Sequence, residues 1–143
     1  MDEKREAEVW QRVAAQPRGG GVPEGLFRES ASLAAGYRRL AGTLTGRGQE
    51  LARQLTGEEE AIAACLRGIL LLSGGTGEQI KHWESAGGNR NRLLQSWYHR
   101  TRRCREAYMA RSLEPDFGEV YRQLADRAAR QCSRLAELLG SIG

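Results

Sequence analysis

Residues 116–142, DFGEVYRQLADRAARQCSRLAELLGSI, place Phe117, Val120, Leu124, Ala128, Gln131, Leu135, Leu138 and Ile142 on one stripe at three- and four-residue spacing. That period fits one face of an α-helix, because 3.6 residues complete a turn. Three other segments read the same way. Residues 24–44 carry Leu26, Ser30, Leu33, Tyr37, Leu40 and Leu44. Residues 49–73 carry Leu51, Leu55, Glu59, Ile62, Leu66 and Ile69. Residues 89–112 carry Leu94, Trp97, Thr101, Cys104 and Tyr108. No run of β-branched residues alternates with polar ones, so no strand is expected.

The breaks between these segments have physical causes. Thr45-Gly-Arg-Gly48 separates the first from the second, and Gly74-Gly-Thr-Gly77 stops the second, where glycine accepts positive φ without strain. Glu114-Pro-Asp116 ends the third, since proline cannot continue the hydrogen-bond ladder, and the same proline suits the first turn of the fourth. Ahead of the four lies a short segment, residues 2–16, with Val9, Trp10 and Val13 on one stripe, which is expected to dock on the main body. Arg18-Gly-Gly-Gly-Val-Pro23 breaks it. Residues 79–85, with Ile80 and Trp83, read as one or two further helical turns inside a long connector.

The chain repeats itself. Arg53-Gln54-Leu55 recurs as Arg122-Gln123-Leu124, and at the same offset Leu66 matches Leu135 and Leu70 matches Leu139. Upstream, Tyr37 matches Tyr108 and Leu33 matches Cys104, at an offset two residues larger, so the second hairpin's loop is shorter by two. Two helical hairpins, residues 24–73 and 89–142, therefore bury their apolar stripes against each other. Residues 1–23 form an N-terminal helix and glycine-rich connector, and residues 24–143 form one all-α domain.

Composition narrows the function. With 143 residues, 40% hydrophobic and 28% charged, the chain can fill one core with helices wet on one side. Three cysteines at wide spacing (Cys65, Cys104, Cys132) form neither a disulfide framework nor a zinc motif; mostly buried thiols are expected. The charged N-terminus lacks a secretory apolar stretch, and no apolar run is long enough to span a membrane, so a cytoplasmic location is expected. The net charge is +4, but 22 basic residues are interspersed with 18 acidic ones. The densest basic stretch, Trp97 to Arg105, would point in every direction around a helix, with Arg100 and Arg103 outward. Nucleic-acid binding is therefore not favoured. His82 and His99, the only histidines, share no carboxylate spacing and read as surface residues.

Duplicated hairpins with a long crossover, a Tyr late in each first helix and a Leu-rich end to each second helix resemble the ferritin-like superfamily, rubrerythrin-like proteins in particular. The resemblance covers residues 25–143 and implies a four-helix bundle. Metal-binding relatives carry a Glu seven residues before each Tyr, and a Glu-x-x-His in each second helix with its His four residues before a Leu. Two irons are held there. Those rules fall here on Ser30 and Thr101, on Glu59 and Ile62, and on Ala128 and Gln131. Of six ligand positions only Glu59 keeps a ligand. Glu29, next to Ser30, is the one further carboxylate that a shifted register could add.

The resemblance thus implies a bundle whose di-metal site is lost: no cofactor and no catalytic residue, a structural or protein-interaction role, and a homodimer or other protein partner. Enzymatic activity is not favoured. Two alternatives stand beside it: an iron-binding, oxidoreductase-like protein with an atypical ligand set, and a nucleic-acid-associated basic helical protein. Glu59 itself has two readings. Either Arg102, Arg105, Gln131 or Tyr37 pairs it in the core, or, the favoured reading, it turns toward solvent with Glu58 and Glu60.

Overall fold

The computed structural model describes residues 22–75 and 89–142. They form four α-helices: α1 (Val22–Ala41), α2 (Gly46–Leu72), α3 (Arg90–Arg111) and α4 (Gly118–Ile142). No strand occurs among the described residues. The N-terminal segment with Val9, Trp10 and Val13, and the connector with Ile80, His82 and Trp83, lie outside them.

Four helix boundaries differ from those expected, one of them the start of α4, which begins at Gly118 and leaves Pro115 and Phe117 in the turn before it. Val22 and Pro23 belong to α1, where proline is at ease because a first-turn N–H has no intrahelical partner. At its other end α1 stops at Ala41, and Gly46–Gly48 lie inside α2 instead of in the break. The cause is local hydrogen bonding. Thr43 turns both its backbone N–H (2.9 Å) and its hydroxyl (2.8 Å) onto the Leu40 carbonyl. Gln49 donates its side-chain amide to the Ala41 carbonyl at 3.1 Å, tying the start of α2 to the end of α1. Leu44 stays buried, but from the turn. The stop of α2 is as expected. Gly74 takes a positive φ of 89°, and Gly75 N–H reaches back to the Leu70 carbonyl at 2.7 Å.

Neighbouring helices are antiparallel, as the composition of the core shows. One apolar cluster joins Leu26 and Phe27 at the start of α1, Leu66 and Leu70 at the end of α2, Tyr108 at the end of α3, and Tyr121 and Leu124 at the start of α4. The other joins Tyr37 and Leu40, Leu51 and Leu55, Leu94 and Trp97, and Leu135 and Leu138, from the opposite ends of the same helices. So α1 and α4 run one way and α2 and α3 the other. The helix α2 finishes at the end of the bundle opposite to where α3 begins. The closest backbone approaches are α1 on α2, α3 on α4 and α2 on α4. Helices α1 and α3 meet through side chains. Tyr37 packs edge-on against Trp97, with ring centroids 5.1 Å apart, and Gly36 lets the indole lie against the α1 backbone. Each fully buried large apolar side chain contributes roughly 1.5–3 kcal/mol, and the two clusters contain most of them.

The cysteines depart from the expectation of burial. Only Cys104 is buried; Cys132 is half-buried and Cys65 is exposed. Cys65 lies one residue before the inward Leu66, a rotation of about 100° on a helix, enough to turn it outward.

Candidate functional site

Between the two apolar clusters lies a layer of four polar side chains, one from each helix. Ser30 sits between Phe27 and Leu33 on α1, and Glu59 between Leu55 and Ile62 on α2. Thr101 sits between Trp97 and Cys104 on α3, and Gln131 between Ala128 and Leu135 on α4. The flanking apolar residues belong to one cluster on one side and to the other cluster on the other side. All four polar residues are buried, as are Ile62 and Ala128. The six positions singled out from the sequence therefore all point into the core, the four polar ones between the clusters and Ile62 and Ala128 one turn away in the first cluster.

Glu59 is only 3% exposed, which overturns the favoured reading of a solvent-facing carboxylate. Of its neighbours, Glu60 is exposed and Glu58 half-buried. Glu58 takes Arg127 and Arg130 from α4, and Glu60 takes Arg38 from α1. Of the core partners considered for Glu59, Arg102 and Arg105 are exposed, and Gln131 reaches its carboxylate. The Ser30 hydroxyl also donates to its Oε2 at 2.5 Å. The pairing of Ser30 with Glu59 was not legible in the sequence. A serine on an apolar stripe reads as a packing residue until the facing helix is known.

The rest of the layer is also bonded. The Gln131 amide nitrogen donates to the Leu55 carbonyl at 2.8 Å and lies beside the Glu59 carboxylate. Gln131 Oε1 accepts from Arg134, which reaches in from the surface at 3.0 Å. Thr101 and Tyr37 share a hydrogen bond of 3.1 Å across α3 and α1.

Burial dominates the electrostatics of the layer. Removal from water pushes the Glu59 carboxyl up to about 7, against the hydrogen bonds from Ser30 and Gln131, which favour its charged form. The nearby charges of Glu29 and Glu58 push in the same direction as burial. Burial also raises Tyr37 well above the usual phenol range, and lifts the Cys104 thiol to about 12, with Glu59 adding to both. The layer thus holds one carboxyl raised toward neutrality, with the uncharged Ser30, Thr101, Gln131 and Tyr37 at the same level.

Glu29 does not join Glu59 as a second carboxylate ligand. It bonds to Arg100 of α3 at 2.5 Å, and Arg100 also reaches the Ser32 hydroxyl at 3.2 Å. Arg100, expected outward, is 16% exposed and clamps α3 to α1. His99 is exposed, and Trp97 is buried. Among the described residues, no three His, Cys, Asp or Glu side chains are placed to share a metal ion. Nor is any described helix long and apolar enough to cross a membrane.

Comparison of the chain with known proteins finds no family model, no curated protein and no solved structure that matches it.

Proposed function

We propose that this protein is a ferritin-like bundle whose centre has exchanged a di-metal site for a hydrogen-bonded polar layer. It serves as a structural or protein-interaction module and not as a metalloenzyme. The observation that carries this reading is the Ser30–Glu59 hydrogen bond. The last carboxylate at the ligand depth is taken up by a hydroxyl from the helix that would have supplied a second carboxylate.

The chemistry of the donor set supports the same reading. Holding two divalent ions takes several anionic or imidazole ligands, to offset the ionic charge and the lost water. Ser, Ile, Thr, Ala and Gln at the other five positions supply no anionic or imidazole ligand. They do what a dry core asks instead, either filling space or closing hydrogen bonds. The antiparallel order of the helix pairs, and the burial of all six positions at the centre of the core, are what such a descent would leave behind.

The test is metal analysis of the full-length protein, purified without chelator from cells grown with added iron and manganese. Substoichiometric metal is expected. One or more equivalents of iron or manganese, lost on Glu59→Gln substitution, would overturn the proposal in favour of an iron-binding protein with an atypical ligand set.

A further inference from the structure

Charge is balanced on three helices and unbalanced on one. On the other helices many surface arginines meet carboxylates: Arg28 with Glu24, Arg47 with Glu137, and Arg127 and Arg130 with Glu58; the exposed Arg53 and Arg67 of α2 have no such partner among the described residues. Helix α3 carries seven arginines and a single glutamate. Arg100 and Arg111 are tied to Glu29 and Glu114, and Arg102 lies 3.8 Å from Glu106. Arg92, Arg103 and Arg105 are exposed and have no carboxylate partner among the described residues.

The placement of these arginines is not explained by stability. Arg90 and Arg92 occupy the first turn of α3, which has no acidic residue. Positive charge there opposes the helix dipole. Arg92, His99 and Arg103, at i, i+7 and i+11, share one outward stripe. From Arg92 to Arg103 the stripe runs about 16 Å, the axial rise of roughly five base pairs.

We propose that the outward face of α3 binds the phosphate backbone of double-stranded nucleic acid without sequence preference, through Arg92 and Arg103 with His99 between them. The cations of the helix are arginines, whose planar fork matches phosphate and carboxylate oxygens alike. The character of the stripe favours nucleic acid over an acidic protein. The residues between them on the stripe, Ser96 and His99, are small or polar, and Ala110 follows. A protein interface would need a buried aromatic or aliphatic anchor there; Trp97 and Tyr98 pack on the core instead. The same lack of an exposed aromatic platform disfavours single strands, which bind by stacking. This inference is independent of whether the bundle centre holds metal.

The test is fluorescence anisotropy with a labelled DNA duplex of arbitrary sequence, titrated with the full chain at several salt concentrations. Binding in the range of about 10⁻⁴–10⁻⁶ M is expected. The logarithm of the association constant should fall with log salt at a slope of about −2 to −3, for two or three phosphate contacts. The double substitution Arg92→Glu and Arg103→Glu should weaken binding at least about tenfold and flatten the slope by about 2. The control, Arg53→Glu with Arg67→Glu on α2, makes the same charge change and should have a much smaller effect. Circular dichroism of both variants checks that each is folded. No duplex binding at about 50 mM salt, equal loss in the control, or equally tight binding of polyglutamate or of a single strand would each overturn the proposal.

Discussion

Ser30 on α1 and Glu59 on α2 share a 2.5 Å hydrogen bond in the middle of the bundle, and neither side chain is open to solvent. The bond crosses the closest helix pair at the depth where the apolar core divides in two. A charged Glu59 gains from it and a neutral one much less, so the pair links the core's stability to pH.

The sign of that link follows from Glu59's shift to about 7 in the folded state, above its ordinary value of 4.5. The folded protein prefers the protonated acid. Its favourable contribution is complete below pH 4.5 and is lost as pH rises through 7. Across that window the cost of the buried charge grows to about 3 kcal/mol. Urea unfolding from pH 5 to 9 should show wild type losing stability relative to Glu59→Gln by that order. Parallel curves for the two proteins would mean that Glu59 does not titrate in the core.

Ser30→Ala removes a donor that favours the carboxylate. The expected loss is about 1–3 kcal/mol at pH 8, and distinctly less at pH 5, where Glu59 is protonated in both proteins. A loss independent of pH would show that Ser30 acts only by filling space.

Tyr37 and Thr101 satisfy each other across α1 and α3 at 3.1 Å. Thr101→Val strands the Tyr37 hydroxyl in an apolar layer, at a cost of about 1–3 kcal/mol. Adding Tyr37→Phe removes the stranded group. The double variant should therefore be more stable than the sum of the two single losses predicts, by denaturant titration. Strict additivity would sever the link.

Gly36 lets α1 and α3 approach. A Cβ there would lie 2.7 Å from Trp97 Cζ2. Gly36→Ala should destabilise by about 1–3 kcal/mol from overpacking, although alanine is the better helix former by about 1 kcal/mol. Trp97 fluorescence should shift as the indole is displaced. A more stable variant would mean that the indole moves aside without cost.

Restoring ligands offers the strongest test of the ferritin-like reading. Ser30→Glu, Ile62→His, Thr101→Glu, Ala128→Glu and Gln131→His, together with the native Glu59, recreate four carboxylates and two imidazoles facing one another within about one helical turn. The variant should unfold at lower temperature without metal, and regain stability with manganese or ferrous iron as two ions bind. Thermal melting that ignores metal would break the equivalence of these positions with a di-metal site.

The sequence by itself determined the helices and their inward faces. A 3.6-residue period is a property of one segment, and the segment's own apolar residues report it. That is why Ser30, Ile62, Thr101, Ala128 and Gln131 could be assigned to the interior before any packing was known, and why the repeat of Arg53-Gln54-Leu55 in Arg122-Gln123-Leu124 pointed to paired hairpins. Helix ends were less legible. The stop at Ala41 depends on Thr43 and Gln49 side chains closing onto backbone carbonyls, which compete with the glycines downstream.

Only the tertiary structure decided what those inward residues do to one another. Glu59 looked like a surface carboxylate beside Glu58 and Glu60, and Arg100 like a surface cation. Both are held inside by partners on other helices, Ser30 for one and Glu29 with Ser32 for the other. The burial of a polar side chain depends on whether a partner waits across the interface. That depends on the rotation and depth of two helices together, which no single stretch of chain encodes.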